Sequence, residues 1–572
     1  MTTHTTRAAL AGALLLTTLA GAGRAAAQGD GTGSTQQAGA REYVVLATDA
    51  TTTAAAEAAV VAAGGQVTKV NTDVGLLTVV SADAAFAGKM RASSSVSGVA
   101  GNQPIGQAPA SGRKSRWEDI EKVADERAAA KGQRQARADD GEGEPLADLQ
   151  WDMAMIGATE DGSYAINPGR RGVTVGIIDT GVDGNHPDIK PNFDKALSRN
   201  FTTDLEDVDG PCADEPDRSC TDPADVDENG HGTHVAGTIG SPVNGLGIGG
   251  VAPNVTLVNL RAGQDSGFFF LGPTIDAITY AGRNGIDVVN MSFFTDPWLY
   301  NCAANPADSP EEQAEQRTII EATQRAVRFA RRNGVTLVAA LGNEHTDLGN
   351  PTIDTISPDY PLGTEKTRTV DNTCLDVPTE TEGVISVSAL GPSKKKADYS
   401  NYGTEQTDFS APGGFYRDFI DDPAKNRVPE NLILAPYPFN VAMVEGFVDT
   451  VTGQPLDDFV IADCKGNKAK SCTYWQYLQG TSMASPHAAG VAALVVSSHG
   501  HRDQAHEGLT MDPEDVQRVM RETATRTPCP AVNPVTYLAE GRDDSYTALC
   551  EGPTWKNGIY GHGIVSAIGA VR

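Results

Sequence analysis

Apolar positions recur along this chain in more than one register. The run Ala488-Ala489-Gly490-Val491-Ala492-Ala493-Leu494-Val495-Val496 is apolar nearly all round, which predicts a helix enclosed by its domain rather than one lying on the surface. A second apolar helix is expected to start after Asn229-Gly230-His231-Gly232-Thr233-His234-Val235-Ala236-Gly237. Short β-branched runs mark strands at Val173-Thr174-Val175-Gly176-Ile177-Ile178, Ile286-Asp287-Val288-Val289-Asn290-Met291 and Val335-Thr336-Leu337-Val338. Strands alternating with helices predict an α/β domain, in which sites form at the C-terminal ends of the strands. Nearer the N-terminus, Glu42 to Leu46 and Gly75 to Val80 read as strands, Thr53 to Ala63 as an Ala-rich helix and Ala82 to Met90 as a short helix, a β-α-β-α order that suits a small α+β unit.

Several polar residues sit where these elements end. Ser482, in Gly480-Thr481-Ser482-Met483-Ala484-Ser485-Pro486-His487, stands at a turn into the buried helix, where unpaired backbone N–H groups favour an oxyanion. Taken alone, the residues there are also what a simple helix cap needs. Asp179 ends one β-branched strand and His231 opens the second apolar helix. A hydroxyl needs an imidazole to become a nucleophile at neutral pH, and the imidazole needs a carboxylate to fix its tautomer. The order Asp, His, Ser along the chain is that of subtilisin.

These motifs resemble those of the subtilisin-like serine proteases, the subtilase family, over roughly 148 to 570. The resemblance implies a three-layer fold with a mainly parallel sheet, with Asp179 orienting the imidazole, His231 as general base and acid, and Ser482 as nucleophile. It implies that Asn343, in Ala339-Ala340-Leu341-Gly342-Asn343-Glu344, donates to the oxyanion beside the Ser482 backbone N–H. Ser292, Phe293 and Phe294 match the segment that pairs with an extended substrate, although Phe294 stands where the family usually has glycine. Structural calcium at Asp188 and Asn244 is a further implication, and no catalytic cofactor is expected. Phe268-Phe269-Phe270 reads first as core and secondarily as apolar subsites.

The chain also divides into parts. Arg7, the apolar run Ala8 to Ala20 and Ala25-Ala26-Ala27 read as a secretory signal over 1–27. Residues 28–107 resemble an inhibitory propeptide, 108–147 form a charged linker expected to be an exposed connector, and 148–572 the catalytic domain. Eight cysteines fit an oxidising compartment. They allow on the order of 100 connectivities, and neighbour pairing suggests Cys212 with Cys220, Cys464 with Cys472, Cys529 with Cys550 and Cys302 with Cys374. A net charge of −29 argues against a nucleic-acid partner. No segment after the signal is apolar for about 18 residues, so no membrane partner is expected.

The resulting expectation is a secreted, monomeric serine endopeptidase acting on proteins or peptides and inhibited by its own propeptide. Its rivals are an exopeptidase of the same fold and a catalytically silent binding protein. Asp179-Thr180-Gly181 with Asp265-Ser266-Gly267 weakly resembles an aspartic protease pair, and His231 with His234 has the spacing of two metal ligands without the rest of such a motif. Two insertions, Asp204 to Glu228 and about 413–470, are expected to frame the cleft.

Overall fold

The structure is a computed structural model describing residues 40–101, 120–127, 144–206, 208–214, 218–361 and 363–572. The expected signal segment lies outside the described residues. The N-terminal region carries β1 (Arg41–Ala47), α1 (Thr53–Ala62), β2 (Gln66–Asn71), β3 (Leu76–Ser81), α2 (Phe86–Arg91) and β4 (Val96–Gly101). They form an antiparallel sheet of order β2-β3-β1-β4, with Ala56, Val60, Phe86 and Met90 of the helices in its core. Strands β2 and β4 go beyond the elements expected from sequence. The first is an edge strand with mostly exposed side chains, and the second is built of small residues, so neither carries a strong apolar pattern.

The larger unit is organised on β5 (Thr174–Ile178), β6 (Arg199–Asn200), α3 (His231–Gly240), β7 (Thr256–Arg261), α4 (Leu271–Arg283), β8 (Val288–Met291), α5 (Pro310–Arg332), β9 (Thr336–Ala340), β10 (Val384–Leu390) and β11 (Phe409–Pro412). The strands form one parallel sheet of order β11-β10-β9-β8-β5-β7-β6. Alternate side chains serve opposite faces. Ile177, Val338 and Val387 pack with α3 and with α6 (Thr481–His499), while Ile178, Val289 and Leu337 pack with α4 and α5. This is the expected three-layer arrangement. The small residues of α6 permit close approach, since a Cβ on Gly490 would lie 2.5 Å from Val251.

The N-terminal sheet docks on α4 and α5. Val44, Leu46, Val74 and Leu76 share a core cluster with Ile275, Ile278 and Ile319. Asn71 Nδ2 donates to Asp276 Oδ1 and Thr279 Oγ1, both at 2.7 Å, and Arg325 donates to the carbonyls of Ala47 and Thr48 at 2.8 and 2.9 Å.

The second insertion folds into a three-stranded antiparallel sheet, β12 (Ile433–Tyr437), β13 (Val460–Cys464) and β14 (Cys472–Leu478), with β14 central. A Cβ on Gly237 of α3 would sit 2.1 Å from Pro436, so glycine lets β12 rest directly on the helix. All four disulfides join the pairs expected from sequence, including Cys302–Cys374 across 72 residues. Phe268 and Phe270 pack with Tyr360, and Phe269 stacks on Phe293, so the three phenylalanines are core. Among the described residues no helix is long and apolar enough to cross a membrane.

Candidate active site

Three strand ends and two helix starts converge beside the sheet. Asp179 follows β5 and is fully buried, and its Oδ1 accepts from Thr180 N at 2.8 Å and lies 2.7 Å from His231 Nδ1. The imidazole is brought there by a tightly held helix start. Asp227 accepts from the N–H groups of Asn229, Gly230 and Thr233 and from the Thr233 hydroxyl, and Asn229 Oδ1 accepts from His231 N. Gly232 is obligatory in this corner, since a Cβ would lie 2.0 Å from the Gly181 carbonyl.

Ser482 is fixed from behind. Pro486 lies in the same helix and has no N–H for the Ser482 carbonyl. The Ser292 hydroxyl supplies the missing donor at 3.0 Å, and Ser485 Oγ lies 2.8 Å from the same oxygen. Ser292 thus braces the serine with its side chain. The Ser482 hydroxyl donates to the Ser292 carbonyl at 3.4 Å, and among the described residues no hydrogen bond joins it to His231. Asn343 is equally constrained: its Oδ1 accepts from Thr481 N and Thr481 Oγ1, both at 2.9 Å, while the same hydroxyl accepts from Gly342 N at 3.0 Å. The amide can then aim only its Nδ2 into the cleft, as an oxyanion donor must. Phe293 stacks on Phe269 with ring centroids 4.0 Å apart, and Phe294 packs against a cluster holding Leu299, Tyr300 and Leu341.

A residue that sequence reasoning missed occupies this cleft. Glu121 is buried, with Oε2 3.4 Å from His231 Nε2 and Oε1 accepting from Asn343 Nδ2 at 3.4 Å. The Gln479 N–H donates to the Glu121 carbonyl at 3.0 Å. The expectation of an exposed connector therefore does not describe residues 120–127. Val123 packs among Leu432, Leu434, Phe459 and Trp475. Lys122 pairs with Glu445 at 2.6 Å, and Arg127 pairs with Asp457 while its guanidinium covers the Phe447 ring. Burial opposes a charge on His231, but Asp179 and Glu121 together outweigh it and hold the imidazole well above its ordinary range.

Other expected roles are not supported by the geometry. His234 Nε2 lies 3.1 Å from both the Ile433 and Gln476 carbonyls, so it donates there, and burial pulls its pKa down to about 3. It is a neutral core histidine rather than a metal ligand. Asp265 pairs with Arg261 at 3.0 Å instead of with Asp179. Arg261 also binds Asp204 at 2.6 Å and pairs with Asp222, so this acidic group is centred on a guanidinium.

Calcium is expected from the sequence at Asp188 and Asn244. The two do meet, with Asn244 Nδ2 3.5 Å from Asp188 Oδ1. But Asp188 Oδ2 accepts from Trp475 Nε1 at 2.9 Å and Ile248 N at 3.1 Å, and burial pushes its carboxyl well above the usual range. The carbonyls of Gly247, Gly249 and Gly250 accept from Leu146 N, Gln150 Nε2 and Tyr164 Oη. The Trp475 indole that meets Asp188 belongs to β14.

Known proteins agree with this architecture. Residues 170–563 match the Subtilase family. A thermophilic serine proteinase of Bacillus sp. (strain AK1) is 27% identical over 390 residues, 68% of this chain and 64% of that protein. Subtilisin DY of Bacillus licheniformis is 28% identical over 357 residues, 62% of this chain and 84% of its own length. Among solved structures, the epidermin leader peptide processing serine protease of Staphylococcus aureus aligns with a TM-score of 0.58 at 20% identity, covering 93% of this chain and 98% of that one. Fervidolysin from Fervidobacterium pennivorans aligns with a TM-score of 0.52 at 19% identity over 93% of this chain and 61% of its own. These two share the fold. With a family match over most of its length and the parallel sheet that the family uses, the chain belongs to the subtilase family of serine peptide hydrolases.

Proposed function

We propose that the protein is a secreted serine endopeptidase made as a zymogen. The observation that carries this reading is the Asp179 Oδ1 to His231 Nδ1 contact of 2.7 Å beside an Asn343 amide locked by Thr481 at the start of the Ser482 helix. With Glu121 out of the cleft, one of the two carboxyl groups that raise the His231 pKa is gone, and Nε2 is free to accept a proton. The Ser482 hydroxyl turns from the Ser292 carbonyl to that nitrogen and attacks the substrate carbonyl. Asn343 Nδ2 and the Ser482 backbone N–H hold the developing oxyanion, and His231 returns the proton to the leaving amine. Water then hydrolyses the acyl-enzyme by the same route in reverse.

The N-terminal sheet on α4 and α5, together with Glu121 in the cleft, supports the zymogen half of the reading. Four disulfides support export to an oxidising compartment. The loop 244–250 is held by Glu144, which accepts from the N–H groups of Gly245 and Leu246 at 2.8 and 2.9 Å, and by Asp188, which accepts from Ile248 N at 3.1 Å, and Asp188 with Asn244 remains the place for a structural calcium ion.

A fluorophosphonate probe applied to the processed protein, freed of its N-terminal region and linker, tests the reading, with Ser482→Ala as control. Label on Ser482 together with internal cleavage of casein is expected. Label with release of only di- or tripeptides identifies an exopeptidase, and a folded protein without label or cleavage identifies a binding protein.

A further inference from the structure

The segment after the Cys302–Cys374 disulfide closes the space between the two strand ends that flank the oxyanion donor. Thr295 N donates to the Val377 carbonyl at 2.7 Å, and Thr379 Oγ1 donates to the Ala340 carbonyl. Residues 376–379 are therefore stitched to the extension of β8 on one side and of β9 on the other. A substrate lying along 292–294 with its reactive carbonyl at Asn343 must direct the side chain of that residue into the gap between these extensions. Asp376 begins the segment that closes it.

Asp376 has an unsatisfied carboxyl oxygen. It is 1% exposed, its Oδ1 has no hydrogen-bond partner, and among the described residues no cation pairs with it. Its neighbours are acidic. Its own N–H donates to Glu380 Oε2 at 2.8 Å, and Glu344 follows Asn343 directly. Burial, reinforced by Glu344 and Glu380, pushes the Asp376 carboxyl well above the usual range. A carboxyl so placed ionises when a cation arrives, and an unpaired buried carboxylate is costly without one. Phe294 and Leu341, in one apolar cluster, supply walls for a methylene stem.

We infer that Asp376 forms the floor of the pocket for the residue preceding the scissile bond, and that the enzyme therefore cuts after lysine or arginine. A carboxylate at that place selects basic side chains, and Glu344 provides a second negative group for the same cation. The chain holds a matching sequence of its own: the linker carries Lys131, Arg134 and Arg137 between the cleft segment and the catalytic domain. The inference rests on the endopeptidase reading for its chemistry, but the pocket can be tested apart from turnover.

The test uses the protein as secreted, with peptides differing only in the residue before the cleaved bond, and follows benzamidine binding by calorimetry in the same preparation. Expected are a kcat/KM for Arg or Lys about 100-fold or more above that for Leu or Phe, and benzamidine binding that Asp376→Asn abolishes. That variant should bring the basic-to-apolar ratio to within about tenfold. Wild-type preference for Leu or Phe overturns the assignment, whether or not the variant folds. So does an Asp376→Asn protein that keeps both the ratio and amidine binding. Amidine binding that depends on Asp376 in a protein without turnover supports the pocket and removes the endopeptidase reading instead.

Discussion

Replacing Glu121 by glutamine keeps the side chain's shape and removes its charge from the cleft. The carboxylate lies 3.4 Å from the His231 imidazolium. At an effective dielectric constant of about 20, that separation is worth about 5 kcal/mol of attraction. Desolvating a buried carboxylate costs several kcal/mol in the opposite direction, and the 3.4 Å contact with Asn343 is long enough to add only a fraction of a normal hydrogen bond. A net loss of about 2 kcal/mol is expected, which raises the open fraction about 30-fold. The assay is the initial rate of fluorophosphonate labelling of Ser482 in the unprocessed full-length band. The pH dependence follows from the raised pKa of His231. A histidine stabilised in its charged form contributes fully below its unfolded value of about 6.5 and loses that contribution as pH rises through the folded value. The wild-type latch should therefore loosen above the ordinary histidine range, and Glu121→Gln should move the rise in labelling to lower pH. Equal labelling rates for the two proteins, within about twofold, with the same pH midpoint, would show that Glu121 does not hold the cleft closed.

Three further outcomes follow from the same geometry. Asn343→Ala should lower kcat by about a hundred- to a thousandfold with little change in KM, a magnitude taken from the corresponding subtilisin asparagine; steady-state kinetics on a peptide substrate checks it. Trp475→Phe removes a donor from buried Asp188 and should cost about 1–3 kcal/mol in denaturant unfolding, and a wild-type melting temperature that falls on chelation would support calcium at Asp188 and Asn244. Replacing Cys302 and Cys374 by serine opens a 72-residue loop and should lower stability by up to about 4 kcal/mol in equilibrium unfolding.

Legibility from sequence followed the range of the interactions. The segments around Asp179, His231, Ser482 and Asn343 carry their own local reasons, a strand end, a Gly-flanked helix start or a turn, and the fold assembles those ends. The cysteine pairs were legible for a similar reason, since three of the four close short loops. Glu121 was not. Glu121-Lys122-Val123-Ala124-Asp125-Glu126-Arg127 reads as a solvated charged face until its partners are known, and these lie more than 300 residues away at Glu445 and Asp457. At Asp188 the family resemblance implied an ion, while the indole that donates to its carboxyl group arrives from 287 residues further along and was not legible. Asp376 sits in Cys374-Leu375-Asp376-Val377-Pro378, which looks like an ordinary loop, and the bonds of Val377 and Thr379 to Thr295 and Ala340 are what bring this segment beside the strand ends.

The latch gains meaning from what such a segment can do alone. A helical stretch as short as 120–127 has no stable structure of its own in water, so its order comes from the surface it meets. That surface belongs to the second insertion: Leu432, Leu434, Phe459 and Trp475 around Val123, Glu445 for Lys122 and Asp457 for Arg127. The insertion is thus a receptor for the linker as well as a border of the cleft. Tethered at both ends, the segment meets that surface at an effective concentration in the millimolar range for a short flexible connection. A cut between 127 and 144 removes one tether, and the segment then stays only while the N-terminal sheet remains on α4 and α5. Closure in the proposed zymogen therefore depends on two docked surfaces joined by one chain, and loss of the N-terminal sheet after that single cut leaves the segment's own contacts, the Lys122 and Arg127 ion pairs, the Val123 packing and the Glu121 and Gln479 hydrogen bonds, to hold it against dilution. An isolated peptide spanning 118–128 should accordingly protect Ser482 from labelling far less well than the intact N-terminal region; equal protection at equal concentration would place the inhibition in the segment alone.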